Sequence, residues 1–249
     1  MTQIVPAQLM WVRISHSYKE AMLKELIDKF YLDRQKDKEQ QHFYITDAGK
    51  CPRAIFFKFK NVPRKEMEAR ILRMFEHGDY IHQLIMRPLL SIRGIHIVAS
   101  EIAIPPQELI SGRADAIVSD SKEMYLLDIK SMNSMIFKSL EQAKEENIDQ
   151  IQLYLHYFKI SKGILLYVNK DTQELKEFII PYDKSRAQVL LDNLNQLKIK
   201  IDSNIVPDKI LDLVDNWQCR YCQFKEICSL VGEGEVPWED CKEKIKISR

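Results

Sequence analysis

The sequence predicts an α/β fold in which helices flank a central mixed sheet, and three observations carry that expectation. Three short runs of strand character follow one another between residues 94 and 132. Two more lie between residues 163 and 182, and segments with helical apolar spacing stand before, between and after these runs. Composition agrees: of 249 residues 45% are hydrophobic and 29% charged, with only 7 Gly and 9 Pro, which excludes a disordered, fibrous or repeat-built chain. A chain of this length buries roughly 70 to 75% of its unfolded surface, so any staple it carries serves more than closing a core.

The elements follow in order. Residues 17–32 place Met22, Leu23, Leu26, Ile27 and Phe30 at helical spacing, and the polar run DRQKDKEQQ (33–41) then breaks the pattern. Residues 1–43 are therefore expected to be a helical packing extension on a charged linker. A helix is expected over 47–59, capped by Thr46 or Asp47, and a longer one from about Lys65 to Leu90. GIHIVASEIAI, LISGRADAIVSD and KEMYLLDIKSM then read as a small meander, with a turn at Asp120 and Ser121 joining the last two. A helix near 147–160, the strands GILLYVNK and LKEFIIPY linked across Asp171 and Thr172, and a helix near 183–202 complete a core expected to span 44–216. Residues 217–249 form a segment first rich in cysteine and then in charge.

Thirty-seven Lys and Arg against 36 Asp and Glu leave a net charge of +1, which excludes binding nucleic acid through overall charge and requires a local patch. No apolar run approaches the ~18 residues needed to cross a bilayer, so no membrane partner is expected. The opening MTQIVPAQLMWVRISHSYKE sets Arg13 and His16 where a secretory leader is greasy. A cytoplasmic location follows as the expectation; there thiols stay reduced, and clustered cysteines more often bind metal than each other.

Asp115 and Asp128 each fall within an apolar strand, in GRAD (112–115) and LLDIK (126–130). Burying a carboxylate in such a strand is costly unless something positive pairs with it. Asp128 and Lys130 stand two apart in a strand and so face the same side. A hard divalent cation such as Mg2+ or Mn2+ on two carboxylates and a backbone carbonyl, with a lysine beside it, makes a workable phosphodiester-cleaving site. For a lone Asp-x-Lys, an exposed edge-strand salt bridge is the commoner reading.

Four motifs in sequence change those odds. Gly78-Asp79-Tyr80-Ile81-His82 resembles the Gly-x-x-x-His of the RecB-like branch of the PD-(D/E)xK nuclease superfamily. Gly112 to Asp115 is similar to its Gly-x-x-Asp, Asp128-Ile129-Lys130 to its (Asp/Glu)-x-Lys, and Gln150 to Tyr154 to its Gln-x-x-x-Tyr. The resemblance implies the restriction-endonuclease-like core. It also implies that His82, Asp115, Asp128 and the Ile129 carbonyl bind Mg2+ or Mn2+, and that Lys130 orients or deprotonates the attacking water. Gln150 and Tyr154, one helical turn apart, would hold DNA near the scissile phosphate, although an ordinary helix surface has the same spacing. His77 competes for the histidine role, and only the glycine spacing favours His82.

Cys219, Cys222 and Cys228 are separated by two and five residues, and Cys51 lies far upstream, making a four-thiolate site whose spacing accepts zinc or an iron-sulfur cluster equally. Resemblance to the CRISPR-associated RecB-like exonuclease family favours a 4Fe-4S cluster, with one cysteine before the nuclease motifs and three after them. Such a site ties the C-terminal segment to the first core helix. Cys241 is left over as a free thiol.

Between residues 50 and 73 lie eight basic side chains (Lys50, Arg53, Lys58, Lys60, Arg64, Lys65, Arg70, Arg73) and two acidic ones, with Phe56, Phe57 and Phe59 interleaved. Arg53, Lys58, Lys60 and Arg64 are expected to grip the DNA backbone, although the phenylalanines suit a core as well as a stacking platform. The resemblance implies a DNA exonuclease that trims single-stranded DNA or single-stranded ends and sizes prespacers for the CRISPR integrase proteins. A phage or mobile-element nuclease of the same branch is the nearest alternative. A DNA-binding module with a structural zinc site is the alternative of another class, against which the intact Asp115, Asp128 and Lys130 weigh.

Overall fold

The computed structural model describes residues 23–35, 39–104, 109–210 and 216–247. Helix α1 (Leu23–Leu32) is followed by the two-residue strand β1 (Phe43–Tyr44), a single 3-10 turn Ile45–Asp47, and helices α2 (Pro52–Phe59) and α3 (Ala69–Leu89). Strands β2 (His96–Ala103), β3 (Ile110–Ser111), β4 (Arg113–Ser119) and β5 (Met124–Met132) come next, then α4 (Ser134–Lys138), α5 (Glu145–Phe158), β6 (Lys162–Asn169), β7 (Leu175–Pro181) and α6 (Lys184–Asp202). The chain continues through β8 (Ile205–Val206), α7 (Trp217–Arg220), α8 (Lys225–Val231), β9 (Val236–Pro237) and α9 (Trp238–Ile247).

The main sheet has the order β2-β4-β5-β6-β7, and every neighbouring pair is antiparallel except β5 with β6. The expected meander is thus β2-β4-β5. Its turn works because Asp120 Oδ1 accepts the N–H groups of Lys122 and Glu123 at 2.9 Å each. Strand β5 is central and paired in parallel with β6 from Tyr125↔Lys162 to Met132↔Asn169, with α4 and α5 forming the crossover. A parallel strand with neighbours on both edges is buried, which is why 126–129 carries the run Leu-Leu-Asp-Ile. One face packs Ala116, Val118, Leu127 and Ile129 against Ile81 of α3. The other packs Ala114, Ile117, Leu126 and Leu165 against α2, α5 and α6, in the larger cluster.

Two elements differ from expectation. The helix read over 47–59 begins only at Pro52, because Gly49 turns the chain at φ +69° and lies so close to α5 that a Cβ there would sit 2.6 Å from Asp149 Oδ2. Pro52 at the first helical position suits that start. Asp47 is instead buried, accepting from Tyr44 N at 2.9 Å and Gln40 Nε2 at 2.6 Å. The second difference is α1, which buries none of its residues: Leu23, Leu26, Ile27 and Phe30 are exposed. Polar side chains hold it to α3 and the loop before it, through Arg73–Asp28 at 2.6 Å, Tyr31 to Glu76, and Gln35 to the Met67 backbone. Met22 and the rest of 1–22, and linker residues 36–38, lie outside the described residues.

The C-terminal segment returns to α2. Phe224 meets Phe57 with ring centroids 5.6 Å apart, and Trp238 meets Phe56 at 5.7 Å. Strands β8 and β9 pair antiparallel, and Val231, Cys241 and Ile245 join the same core cluster as α2 and α5.

Candidate active site

The site forms where β4 and β5 part. Their ladder runs from Ser119↔Met124 to Ala116↔Leu127, and Asp115 and Asp128 are the next residues beyond it. There the side chain of Asp115 replaces the missing strand partner: its Oδ2 accepts the Ile129 N–H at 2.7 Å. Its other oxygen, Oδ1, lies 3.2 Å from Nδ1 of His82, presented by α3. The hydrogen bond that Asp115 accepts from His82 raises the His82 pKa above its ordinary value, against the opposing effect of burial.

Asp128 and Lys130 share one side of β5, as strand alternation requires. The Lys130 ammonium donates to Asp128 Oδ1 at 3.0 Å and to Gln150 Oε1, on α5, at 3.0 Å. The pair is not an exposed edge-strand salt bridge, since Asp128 is 3% exposed on the central strand. Its Oδ2 lies 2.8 Å from the ammonium but off the direction a hydrogen bond needs, and so is a buried oxygen without one. Burial raises the Asp128 pKa; Lys130 offsets this in part, while the neighbouring Asp115 adds to it. Two carboxylates, one carrying an unsatisfied buried oxygen, with an imidazole alongside, are a donor set that fits a hard divalent ion of the Mg2+ or Mn2+ kind. Among the described residues no group of three or more His, Cys, Asp or Glu side chains, at this site or elsewhere, is already drawn together closely enough to hold a metal ion.

The structure places the remaining expected residues less uniformly. Gln150 meets Lys130 and so belongs to the constellation. Tyr154 is 2% exposed and its hydroxyl donates to the Arg113 carbonyl at 2.7 Å, so it braces β4 two residues before Asp115 and presents no surface to a strand of DNA. That corrects its expected role as a direct hold on substrate. Burial also raises its phenol pKa. Lys50, first of the basic residues named from the sequence, has its pKa lowered by burial first and by the Lys58 charge next, and also feels the charge of Lys130. Its signal was only membership of the basic segment.

Cys51, Cys219, Cys222 and Cys228 line one cavity of about 280 Å3. Burial raises the Cys222 thiol pKa, and the charges of Cys51, Cys228 and Cys219 add to that, so the four groups feel one another. Clustered thiols outside any disulfide are the donor chemistry that both a zinc ion and an iron-sulfur cluster take. Cys241 is fully buried in the core and does not line this cavity.

The basic segment is where expectation and structure diverge most. Arg53 is 0% exposed, and its guanidinium is engaged by backbone carbonyls of the C-terminal region, so it has no face to offer a phosphate. Lys58 pairs with buried Asp47 at 3.2 Å. Lys60 donates to the Ile201 carbonyl at 3.0 Å and to Asn204 at 2.7 Å, closing the C-terminus of α6. Arg64 is half-buried between α2 and α3. Phe56 and Phe57 are fully buried core and not stacking platforms.

A family profile describing the PD-(D/E)XK nuclease superfamily matches residues 19–229. Among curated proteins, the chain is similar to the CRISPR-associated exonuclease Cas4 of Saccharolobus solfataricus, 26% identical over 198 residues that cover 77% of this chain and 89% of that protein. Among solved structures it is similar to SSO0001, with a TM-score of 0.54 and 24% identity over 85% of this chain and 98% of that one. It is similar also to a phage related exonuclease from Haemophilus somnus 129PT, with a TM-score of 0.51 and 12% identity over 65% and 93%. At such identities the structural likenesses speak for the fold.

Proposed function

The chain belongs to the PD-(D/E)XK nuclease superfamily, and from that premise we propose that it is a divalent-metal-dependent DNA exonuclease that trims single-stranded ends. In this reading Cys51, Cys219, Cys222 and Cys228 carry a 4Fe-4S cluster, and the enzyme prepares prespacers for the CRISPR integrase proteins. The similarity to the Cas4 exonuclease over most of both chains supports the CRISPR setting.

The observation that carries the enzymatic reading is Asp128. A carboxylate at the centre of a sheet, with one oxygen lacking a hydrogen bond and a lysine ammonium 2.8 Å away, is an expensive arrangement for packing alone. His82, Asp115, Asp128 and the Ile129 carbonyl would hold the divalent ion. When bound, such an ion lowers the pKa of water and stabilises charge developing on phosphate. The chain's own residues do the rest. Asp115 fixes His82 on one side and the Ile129 backbone on the other. Gln150 and Asp128 together fix the Lys130 ammonium, which orients the attacking water or offsets charge at the phosphate.

The test is cleavage of end-labelled single-stranded DNA with Mg2+ or Mn2+, with and without chelator. Lys130→Ala is expected to abolish cleavage while DNA and metal still bind, and Asp115→Ala to lose metal as well. Chelator-sensitive cleavage at the normal rate by either variant, with contaminating nuclease excluded, would show that this chain cuts elsewhere. A brown colour and absorbance near 400 nm in anaerobically purified protein identify the cluster, and a colourless protein holding zinc refutes it. Trimming of overhangs to a defined length only when the integrase proteins are present checks the CRISPR assignment.

A further inference from the structure

Arg53 commits four of its five N–H groups to hydrogen bonds. Its Nε donates to the Pro207 carbonyl at 2.8 Å. One terminal nitrogen donates to the Gly232 carbonyl at 2.6 Å and reaches Cys228 Sγ at 3.7 Å. The other donates to the Gly234 carbonyl at 2.7 Å and lies 3.6 Å from Asp208 Oδ1. A guanidinium has five N–H donors in a planar fork, and four of them have a hydrogen-bond acceptor here, the Asp208 carboxylate adding an ion pair. Gly232 and Gly234 both hold positive φ, +85° and +78°, in the turn between α8 and β9, where residues with a Cβ are strained. Asp208 fastens the same turn by accepting the Gly234 N–H at 3.0 Å.

We propose that Arg53 is the positioning residue of the cysteine centre: through one hydrogen bond to Cys228 Sγ and three to backbone carbonyls, it fixes that ligand and sets the electron density on its sulfur. The proposal rests on the reading that the four cysteines hold a 4Fe-4S cluster. Arg53 stands two residues after Cys51 and touches Cys228, so one side chain ties the first ligand of the sequence to the last. Hydrogen bonds to cluster sulfur, and nearby positive charge, stabilise the more reduced and more negative state. Lysine keeps the charge but has no fork to span Pro207, Gly232, Gly234 and Cys228 together.

The experiment compares full-length, anaerobically purified wild type with Arg53→Lys. Reduction potential is measured by spectroelectrochemistry, and bleaching in air by loss of absorbance near 400 nm. In Arg53→Lys the potential is expected to move negative and bleaching to quicken about tenfold. Wild-type potential and wild-type bleaching in a folded, fully loaded variant overturn the role. Should the variant fail to fold, the second measurement uses protein labelled with 15N-arginine in an Arg220→Lys background. Its reduced cluster is expected to show hyperfine coupling to a guanidinium nitrogen, and a spectrum without that coupling rejects the proposal. A wild type with no iron refutes the cluster reading itself, before any variant is compared.

Discussion

At the scale of single residues, the divide between substrate contact and internal brace decides what a substitution does. Tyr154 gives its hydroxyl to the part-buried Arg113 backbone carbonyl, so Tyr154→Phe removes that donor. A loss of about 1 to 3 kcal/mol in stability is expected, with DNA affinity unchanged, as read by urea unfolding alongside a binding titration. Weaker DNA binding at full stability would return Tyr154 to the substrate. Asp128→Asn tests the opposite case. It removes the charge that Lys130 faces while keeping shape, so it is expected to cost little stability, because a buried carboxylate is itself costly, while abolishing metal-dependent cleavage. That Asp128 and Lys130 meet was legible because alternation on β5 fixes which side they share. The burial of Arg53 was not. A basic residue among seven others gives no local sign that its partners are the carbonyls of residues 207, 232 and 234.

At the scale of elements, the sheet could be read from its apolar runs, and the ends of α3, α5 and α6 were found within a few residues. The turn at Gly49 was missed because the apolar spacing of 47–59 continues across it, and only the proximity of α5 makes that turn necessary. The docking of α1 was misread for a related reason. Helical spacing of Leu23, Leu26, Ile27 and Phe30 promises burial, yet α1 is held by its polar side. Hydrogen bonds from Arg73 and then Lys24 hold the Asp28 carboxyl below the ordinary value of 3.8. A depressed carboxylate contributes stability that is present above its unfolded pKa and lost as pH falls through the folded one. Amides of α1 are therefore expected to lose hydrogen-exchange protection selectively as the solution is acidified below about pH 4, and also in high salt, which screens exposed pairs. Protection that falls equally in β5 and α1 would show that α1 is no separate unit.

At the scale of the whole molecule, the two ends of the core meet at one place: α2 with Cys51 at its N-terminus lies against the segment that carries Cys219, Cys222 and Cys228. If the four cysteines carry the proposed 4Fe-4S cluster, Cys228→Ala is expected to bleach the protein and lower the midpoint of the entire unfolding transition, since α8 and α9 share the main core cluster. Cys241→Ala is expected to keep the colour, and a variant lacking Cys241 that fails to load iron would reassign the ligands. No helix among the described residues is long and apolar enough to cross a membrane. The pairing of distant cysteines also sets a timetable for biosynthesis. Cys51 leaves the ribosome before every nuclease motif, and its three companions leave after the last of them, a delay of roughly 10 to 30 s at ordinary translation speeds. The sheet therefore has time to form while the first thiol waits alone. Iron would be delivered last, to a chain already close to its final shape, and starving cells of iron should yield a soluble, colourless protein with the nuclease core in place.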